Sequence, residues 1–248
     1  EGGTLILNKD DNFFNFLSLK AQKRGINVIS FSCKKKADVS LLKIKKIKNY
    51  YRLKISVKER IYTFDTKYSI KSFIYNILAC VSVLSTINLD LNILRKKFIN
   101  FKIPHGRGDI KLVKKFKKRF KFIDESYNAN PLSVKNAISR FSSIKKEKFK
   151  KYLILGDMLE LGLKSEKYHK DISRVINNSD IDKVFIKGNK TIFTYKYLKR
   201  NKRGNILQNN EDIDLNLRNL LSNNDYLMIK GSNATGLNNF TKNMIRGF

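Results

Sequence analysis

The run Ile123-Asp-Glu-Ser-Tyr-Asn-Ala-Asn-Pro131 passes from apolar strand-like residues, through a polar loop, into a helix start. Residues 120–123 read as a short strand. Beyond the loop, Val134, Ala137, Ile138, Phe141 and Ile144 recur at helical spacing, which predicts a helix over 131–145. Asn130 and Pro131 stand where an N-cap and a first-turn proline belong, because the cap amide accepts from a free backbone N–H and proline lacks only an N–H that would be unpaired anyway.

The same unit repeats downstream. Strands are predicted at 151–155, 183–187, 205–208 and 225–230, followed by helices at 165–177, 190–200, 211–221 and 238–246. Strict alternation of this kind builds a mostly parallel, doubly wound, Rossmann-like α/β sheet. Three of the strands run into glycines: Gly156-Asp157, Lys187-Gly188 and Lys230-Gly231-Ser232. Ligands of such sheets bind at the carboxyl edge, where glycine permits close approach. For Gly188 a plain chain-turning role is the preferred reading.

Upstream, Pro104, Gly106 and Gly108 mark a loop, which divides the chain into domains 1–105 and 106–248. The first reads as strand 3–8, helix 12–23, strand 26–31, and extended segments 39–47, 50–57 and 60–64, with Val39, Leu41 and Ile44 facing inward. In a helix at 72–87, Phe73, Ile74, Ile77, Leu78, Val81, Leu84 and Ile87 cover nearly the whole surface, so it is expected to be buried on most sides. Asp90 is placed to cap a further helix at 91–99.

Composition narrows the class. Of 248 residues 42% are hydrophobic, which excludes a disordered tail. No uncharged apolar run of ~18 residues spans a membrane, and no signal-peptide pattern opens the chain. The chain starts with Glu1 on a strand-like run and reads as a fragment. Cys33 and Cys80 lie too far apart for a disulfide framework or zinc knuckle, which fits a reducing cytoplasm. Basic residues outnumber acidic ones 52 to 21, a net charge of +31. They are spread along the chain and not confined to one arm, and the densest runs, 43–48 and 114–121, read as exposed strand and turn positions. This argues against a nucleic-acid partner, although the field attracts anionic ligands.

The chemistry centres on the loop first quoted. Asp124 and Glu125 suit vicinal ribose hydroxyls, and a helix start offers N–H groups to an anionic oxygen. The residues alone serve equally as a capping loop. The wider pattern is more specific. Asp124-Glu-Ser-Tyr-Asn-Ala-Asn-Pro131 resembles the Asp-Asp-Ser-Tyr-Asn-Ala-Asn-Pro signature of the Mur ligase family, in the branch that adds D-alanyl-D-alanine. Gly106-Arg-Gly-Asp109, Leu155-Gly-Asp-Met-Leu-Glu-Leu-Gly162, Ser165 with His169, and Lys230-Gly-Ser232 followed by Gly236-Leu237 are similar to further family motifs in the same order. Upstream, Leu7-Asn-Lys-Asp-Asp11 and Tyr75-Asn-Ile-Leu-Ala79 match as well.

The resemblance implies the later part of a Mur-ligase central domain followed by the C-terminal domain. It implies ATP and Mg2+, with the phosphate loop and metal ligands expected upstream. It also implies UDP-N-acetylmuramoyl-tripeptide and D-alanyl-D-alanine as substrates of a cytoplasmic, monomeric amide ligase working through an acyl phosphate. Arg107 aligns with an arginine that contacts ATP phosphates, and Glu125, beside Asp124, with a ribose-binding aspartate. Asn76 aligns with an adenine-side asparagine, while Phe73 replaces a second one. Lys230 and Ser232 are implied near the acyl centre as catalytic groups. Asn128 and Asn130 are implied as peptide contacts, with Asn130 equally a helix cap. Asp157 and Glu160 face the incoming ammonium or hold their own loop. His169 reads as structural. The alternatives are another Mur-type amino-acid ligase, a folylpolyglutamate synthase or, outside enzymes, a basic nucleic-acid-binding module.

Overall fold

The computed structural model describes residues 2–87, 89–101, 105–145 and 147–246. The chain divides into two compact units, Glu1–Lys102 and Ile103–Phe248. Pro104, one of the three boundary signals, lies outside the described residues.

The first unit carries β1 (Thr4–Asn8), α1 (Phe14–Gln22), β2 (Asn27–Ser32), β3 (Val39–Ile47), β4 (Tyr50–Val57), β5 (Arg60–Thr66) and α2 (Lys71–Leu84). The strands form one sheet in sequence order; β1, β2 and β3 run parallel, and β4 and β5 return as antiparallel hairpins. Phe31, Val39, Leu53, Ile55 and Phe64 pack against Ile74, Ile77, Leu78 and Val81 of α2. Three expectations change here. A bulge between Leu41 and Lys43 shifts the register of β3; it leaves Leu42 exposed and pairs Ile44 with the buried Leu53 on the face of Val39 and Leu41, yet Ile44 is still exposed. Helix α2 is buried on one face only, with Val83 and Cys80 exposed. The helix at 91–99 is instead two short 3-10 turns, Leu91–Leu94 and Lys97–Asn100. Asp90 does cap the first, accepting from Asn92 N at 3.0 Å. The carbonyl of Arg95, which a continuous helix would use internally, accepts from Asp65 N at 2.7 Å.

The second unit carries β6 (Asp109–Lys115), β7 (Lys118–Glu125), α3 (Pro131–Ser142), β8 (Lys151–Gly156), α4 (Ser165–Asn177), β9 (Lys183–Lys187), α5 (Ile192–Lys196), β10 (Arg203–Ile206), α6 (Asn210–Leu220), β11 (Tyr226–Lys230) and α7 (Leu237–Arg246). The strand order is β10-β9-β8-β11-β7-β6, parallel except for β6. Strand β6 breaks the expected strict alternation. It joins β7 through a tight turn at Phe116-Lys117, both at positive φ, without the Asn-Gly or Asp-Gly signature of such turns. The helix expected at 190–200 stops at Lys196. The Asn177 side chain accepts from Lys199 N at 2.9 Å and donates to Tyr197 O at 2.9 Å, taking backbone groups that a longer helix would pair.

Period-2 alternation sorts the parallel strands onto two cores. Phe122, Tyr152, Ile154, Phe185, Leu227 and Ile229 face α6 and α7. Ile123, Leu153, Leu155, Val184, Ile186 and Met228 face α3 and α4. Burial of each such side chain is worth about 1.5–3 kcal/mol, so the layered arrangement follows from covering both faces. The register sets Glu125, Lys230 and Leu155 side by side, and three loops therefore leave one carboxyl edge together.

Candidate functional site on the C-terminal sheet edge

The loop after β7 is pinned from below. Asp124 is buried; its Oδ1 accepts from Ser126 N at 3.0 Å and Ser126 Oγ at 2.6 Å, and that hydroxyl also meets Thr241 Oγ1 at 3.0 Å. Glu125 pairs with the Arg140 guanidinium through Oε1, and its Oε2 lies 3.8 Å from Lys230 Nζ. Lys230 is almost fully buried and donates to the carbonyls of Glu125, at 3.2 Å, and of Asn128. Burial lowers its pKa, while the Glu125 carboxylate opposes that shift. The ammonium thus points into the loop and gathers it.

The turn before β6 lies on this loop. Gly106 and Gly108 hold φ of +78° and +89°, and a Cβ on Gly106 would come within 2.6 Å of Tyr127 Cβ. Gly108 N donates to Asp124 O at 2.7 Å and Tyr127 N to Gly106 O at 3.4 Å. The Arg107 guanidinium stacks over the Tyr127 ring, 4.7 Å from its centroid, and both side chains are exposed. Asn128 is exposed too. Asn130 caps α3, accepting from Ser133 N at 2.8 Å in a reciprocal capping box; the cap half of its two readings is the one realised.

The loops after β8 and β11 lock together. The Asp157 carboxylate accepts from the backbone N–H groups of Asn189 (3.0 Å), Lys190 (3.0 Å) and Thr191 (2.7 Å). The geometry favours its loop-holding reading over contact with a substrate ammonium. It also gives Gly188 more than a turning role: with φ of +128°, its Cβ would collide with that carboxylate at 2.5 Å. Ser232 N donates to Asp157 O at 3.0 Å, and Ser232 Oγ accepts from Leu159 N at 3.1 Å, so its hydroxyl braces the loop.

His169 is fully buried on α4. Its Nδ1 donates to Ser165 O at 2.8 Å and its Nε2 accepts from Met158 N at 3.0 Å, an arrangement that requires the neutral ring. Burial lowers its pKa from the usual 6.5. Above that value folded and unfolded chains both hold a neutral ring. Below it the unfolded chain takes a proton that the folded chain resists, so stability is lost as pH falls toward the depressed folded value. Thermal unfolding between pH 7.5 and 5.5 is expected to show this loss, and His169→Gln to flatten it; equal slopes in parent and variant would contradict the assignment.

Arg107, Asp124, Glu125, Asn128, Asn130, Asp157, Lys230 and Ser232 all fall on or beside this edge. Asn76 belongs to the first unit, exposed on α2. Its neighbour Tyr75 donates to Asp10 Oδ2 at 2.8 Å, and Asp10 also accepts from Ser32 Oγ and Cys33 N, both at 2.8 Å. Those bonds hold the Asp10 pKa down against the opposing effect of burial. Two contributions are not legible in the sequence. Arg140 is one cation among many and carries no motif. Asp10 sits in a quoted motif, but its tie to Tyr75 is visible only in space.

Residues 110–233, which carry this edge, match a family model described as "Mur ligase, glutamate ligase domain", and residues 1–84 match one described as "Mur ligase middle domain". The chain belongs to the Mur ligase family. It is 29% identical over its whole length to the UDP-N-acetylmuramoyl-tripeptide–D-alanyl-D-alanine ligase of Buchnera aphidicola subsp. Baizongia pistaciae, covering 52% of that protein. It is 35% identical to the Bacillus subtilis ligase of the same name over 126 residues, 50% of this chain and 27% of that protein. Among solved structures, a UDP-N-acetylmuramoylalanyl-D-glutamyl-2,6-diaminopimelate–D-alanyl-D-alanyl ligase from Acinetobacter baumannii matches with TM-score 0.74 and 19% identity, over 98% of this chain and 51% of that one. A Thermotoga maritima ligase solved with ADP matches with TM-score 0.68 and 21% identity, over 99% and 53%. These structures share the fold. The chain spans about half the length of the curated relatives it matches.

Proposed function

We propose that this chain is part of an ATP-dependent amide ligase that joins D-alanyl-D-alanine to UDP-N-acetylmuramoyl-tripeptide in peptidoglycan precursor synthesis. The observation that carries this reading is the seating of the exposed Arg107 on the loop of Asp124, Glu125 and Asn128, at the carboxyl edge of a parallel sheet. An arginine there is always charged and offers forked donors to phosphate oxygens.

In the proposed reaction the tripeptide carboxylate attacks the γ-phosphorus of ATP, and ADP leaves. The amine of D-alanyl-D-alanine then attacks the acyl phosphate, loses a proton, and an amide forms as phosphate departs. Activation is needed because a carboxylate is a poor acceptor. Arg107 meets phosphate oxygens, and the exposed Asn128 amide can bond a peptide group. Lys230 and Ser232 support the loops from beneath; their polar atoms are committed to protein partners. Mg2+ is expected with ATP. Among the described residues no group of three or more His, Cys, Asp or Glu side chains could hold a metal, and no residue here is given that role.

A cytoplasmic, monomeric enzyme is part of the same proposal. Both cysteines are free, which suits a reducing compartment. No described helix is long and apolar enough to cross a membrane. The dispersed lysines support small anionic substrates over nucleic acid. The test is an amide-forming assay on the complete gene product with ATP and a panel of acceptors. Arg107→Ala is expected to lower kcat/KM by about 10²–10³-fold, as loss of one charged contact to a reacting phosphate does. The chain alone is expected to turn over nothing. Preference for a single amino acid or for a folate acceptor would overturn the assignment in favour of a sister ligase.

A further inference from the structure

The Glu125 carboxylate is surrounded. One oxygen meets Arg140 and the other faces Lys230 at 3.8 Å, and the side chain is only 10% exposed. Gly108 lies directly on this pair: a Cβ there would come within 2.5 Å of Glu125 Oε1 and 3.4 Å of an Arg140 Nη. Carboxylate and backbone therefore meet closely on this side. The next residue back, Arg107, adds a further positive charge that acts on Lys230. Without Glu125, the charges of Arg140 and Arg107 would act on the buried Lys230 uncompensated, and like charges repel. Arg140, on the first helix after the loop, decides where the carboxylate points. If Arg140 were absent, Glu125 would be free to turn toward Lys230 and give up its contact with Gly108, leaving the bond from Gly108 N to Asp124 O to hold that residue.

We propose that Arg140, acting through Glu125, is a positioning residue that holds the Arg107 turn in place, with the Glu125 carboxylate as the anchor of that turn. The importance of the turn rests on the reading of Arg107 as a phosphate contact, but its placement is measurable without nucleotide, so the two can fail separately.

Two signals report it in isotopically labelled chain by NMR: the ring-current shift that Tyr127 imposes on the Arg107 side-chain protons, calibrated with Tyr127→Leu, and the exchange rate of the Gly108 amide. Arg140→Ala and Glu125→Gln are expected to move the Arg107 resonances toward their Tyr127→Leu positions and to speed Gly108 exchange roughly tenfold or more, as local opening does. Arg140→Lys, which restores the charge, is expected to keep most of both signals. Core amides of Leu153 and Met228 are expected to stay at parental positions, separating a moved turn from a lost fold. Parental Arg107 shifts and Gly108 exchange in Arg140→Ala would overturn the proposal. So would an Arg140→Lys variant as perturbed as the alanine.

Discussion

Lys230→Met is expected to lower the stability of the C-terminal unit by about 3 kcal/mol, the low end of the cost of breaking a buried charged pair on one side. Methionine keeps most of the stem volume, so no large cavity forms. What disappears is the ammonium that joins the carbonyls of Glu125 and Asn128, and the buried Glu125 carbonyl is left without that donor. Glu125 retains Arg140 and is not orphaned, and this holds the loss at the low end. Against the loss stands relief of the burial that already depresses the Lys230 pKa. The missing hydrogen bonds are expected to outweigh that relief, because two acceptors and one carboxylate depend on the one group. For a domain of this size the change corresponds to a fall in Tm of roughly 6–12 °C. Urea unfolding followed by tyrosine fluorescence measures it. An unchanged or raised midpoint would show that desolvating the ammonium costs more than its bonds return.

Asp157→Ala is expected to cost a similar amount, about 3 kcal/mol. Three backbone N–H groups at the start of α5 lose their acceptor, and each costs about 1–3 kcal/mol when left unpaired. Asn189 and Lys190 are exposed and recover water, so the sum stays below the maximum. Asp157→Asn separates charge from acceptor count. One of its two terminal atoms becomes a donor facing either Asn189 N or the Lys190–Thr191 pair, and about half of the loss is expected. Thermal melts of the three proteins side by side check the order. If asparagine equalled aspartate, the carboxylate would not be what orders the Asn189–Thr191 segment, and contact with a substrate ammonium would regain its claim on Asp157.

The parallel elements were legible because two physical signals agreed on them. Apolar runs such as Leu153-Ile-Leu155 ended at glycines, and periodic helices followed; α4 lies where its spacing placed it, at Ser165–Asn177. Signals carried by lone polar contacts were not legible. Nothing in local sequence announces that Asn177 will stop α5, or that Asp65 will claim the Arg95 carbonyl. The turn at Phe116-Lys117 lacks the residues that normally betray it, so β6 went unseen. At the site the motifs marked loops that the fold gathers on one edge, but not the contacts within them. Asp157, Asn130 and Ser232 are chemically capable of meeting a substrate, and only the folded chain shows their polar atoms already engaged by neighbouring backbone. Arg140 was invisible for the opposite reason: in a chain with 52 basic residues, one more arginine on a helix stands out from nothing.

The bracing of these loops by Lys230, Asp157, His169 and Ser232 bears on how the edge would greet a ligand. The braces are bonds within the chain itself, so a molecule arriving there meets a seat held by the protein's own groups and is spared part of the entropy loss of ordering it. Adjustment is confined to a few solvent-facing groups, Arg107, Tyr127 and Asn128 among them. Affinity for related acceptors should therefore be tunable by changes at those tips while the floor beneath them stays as it is.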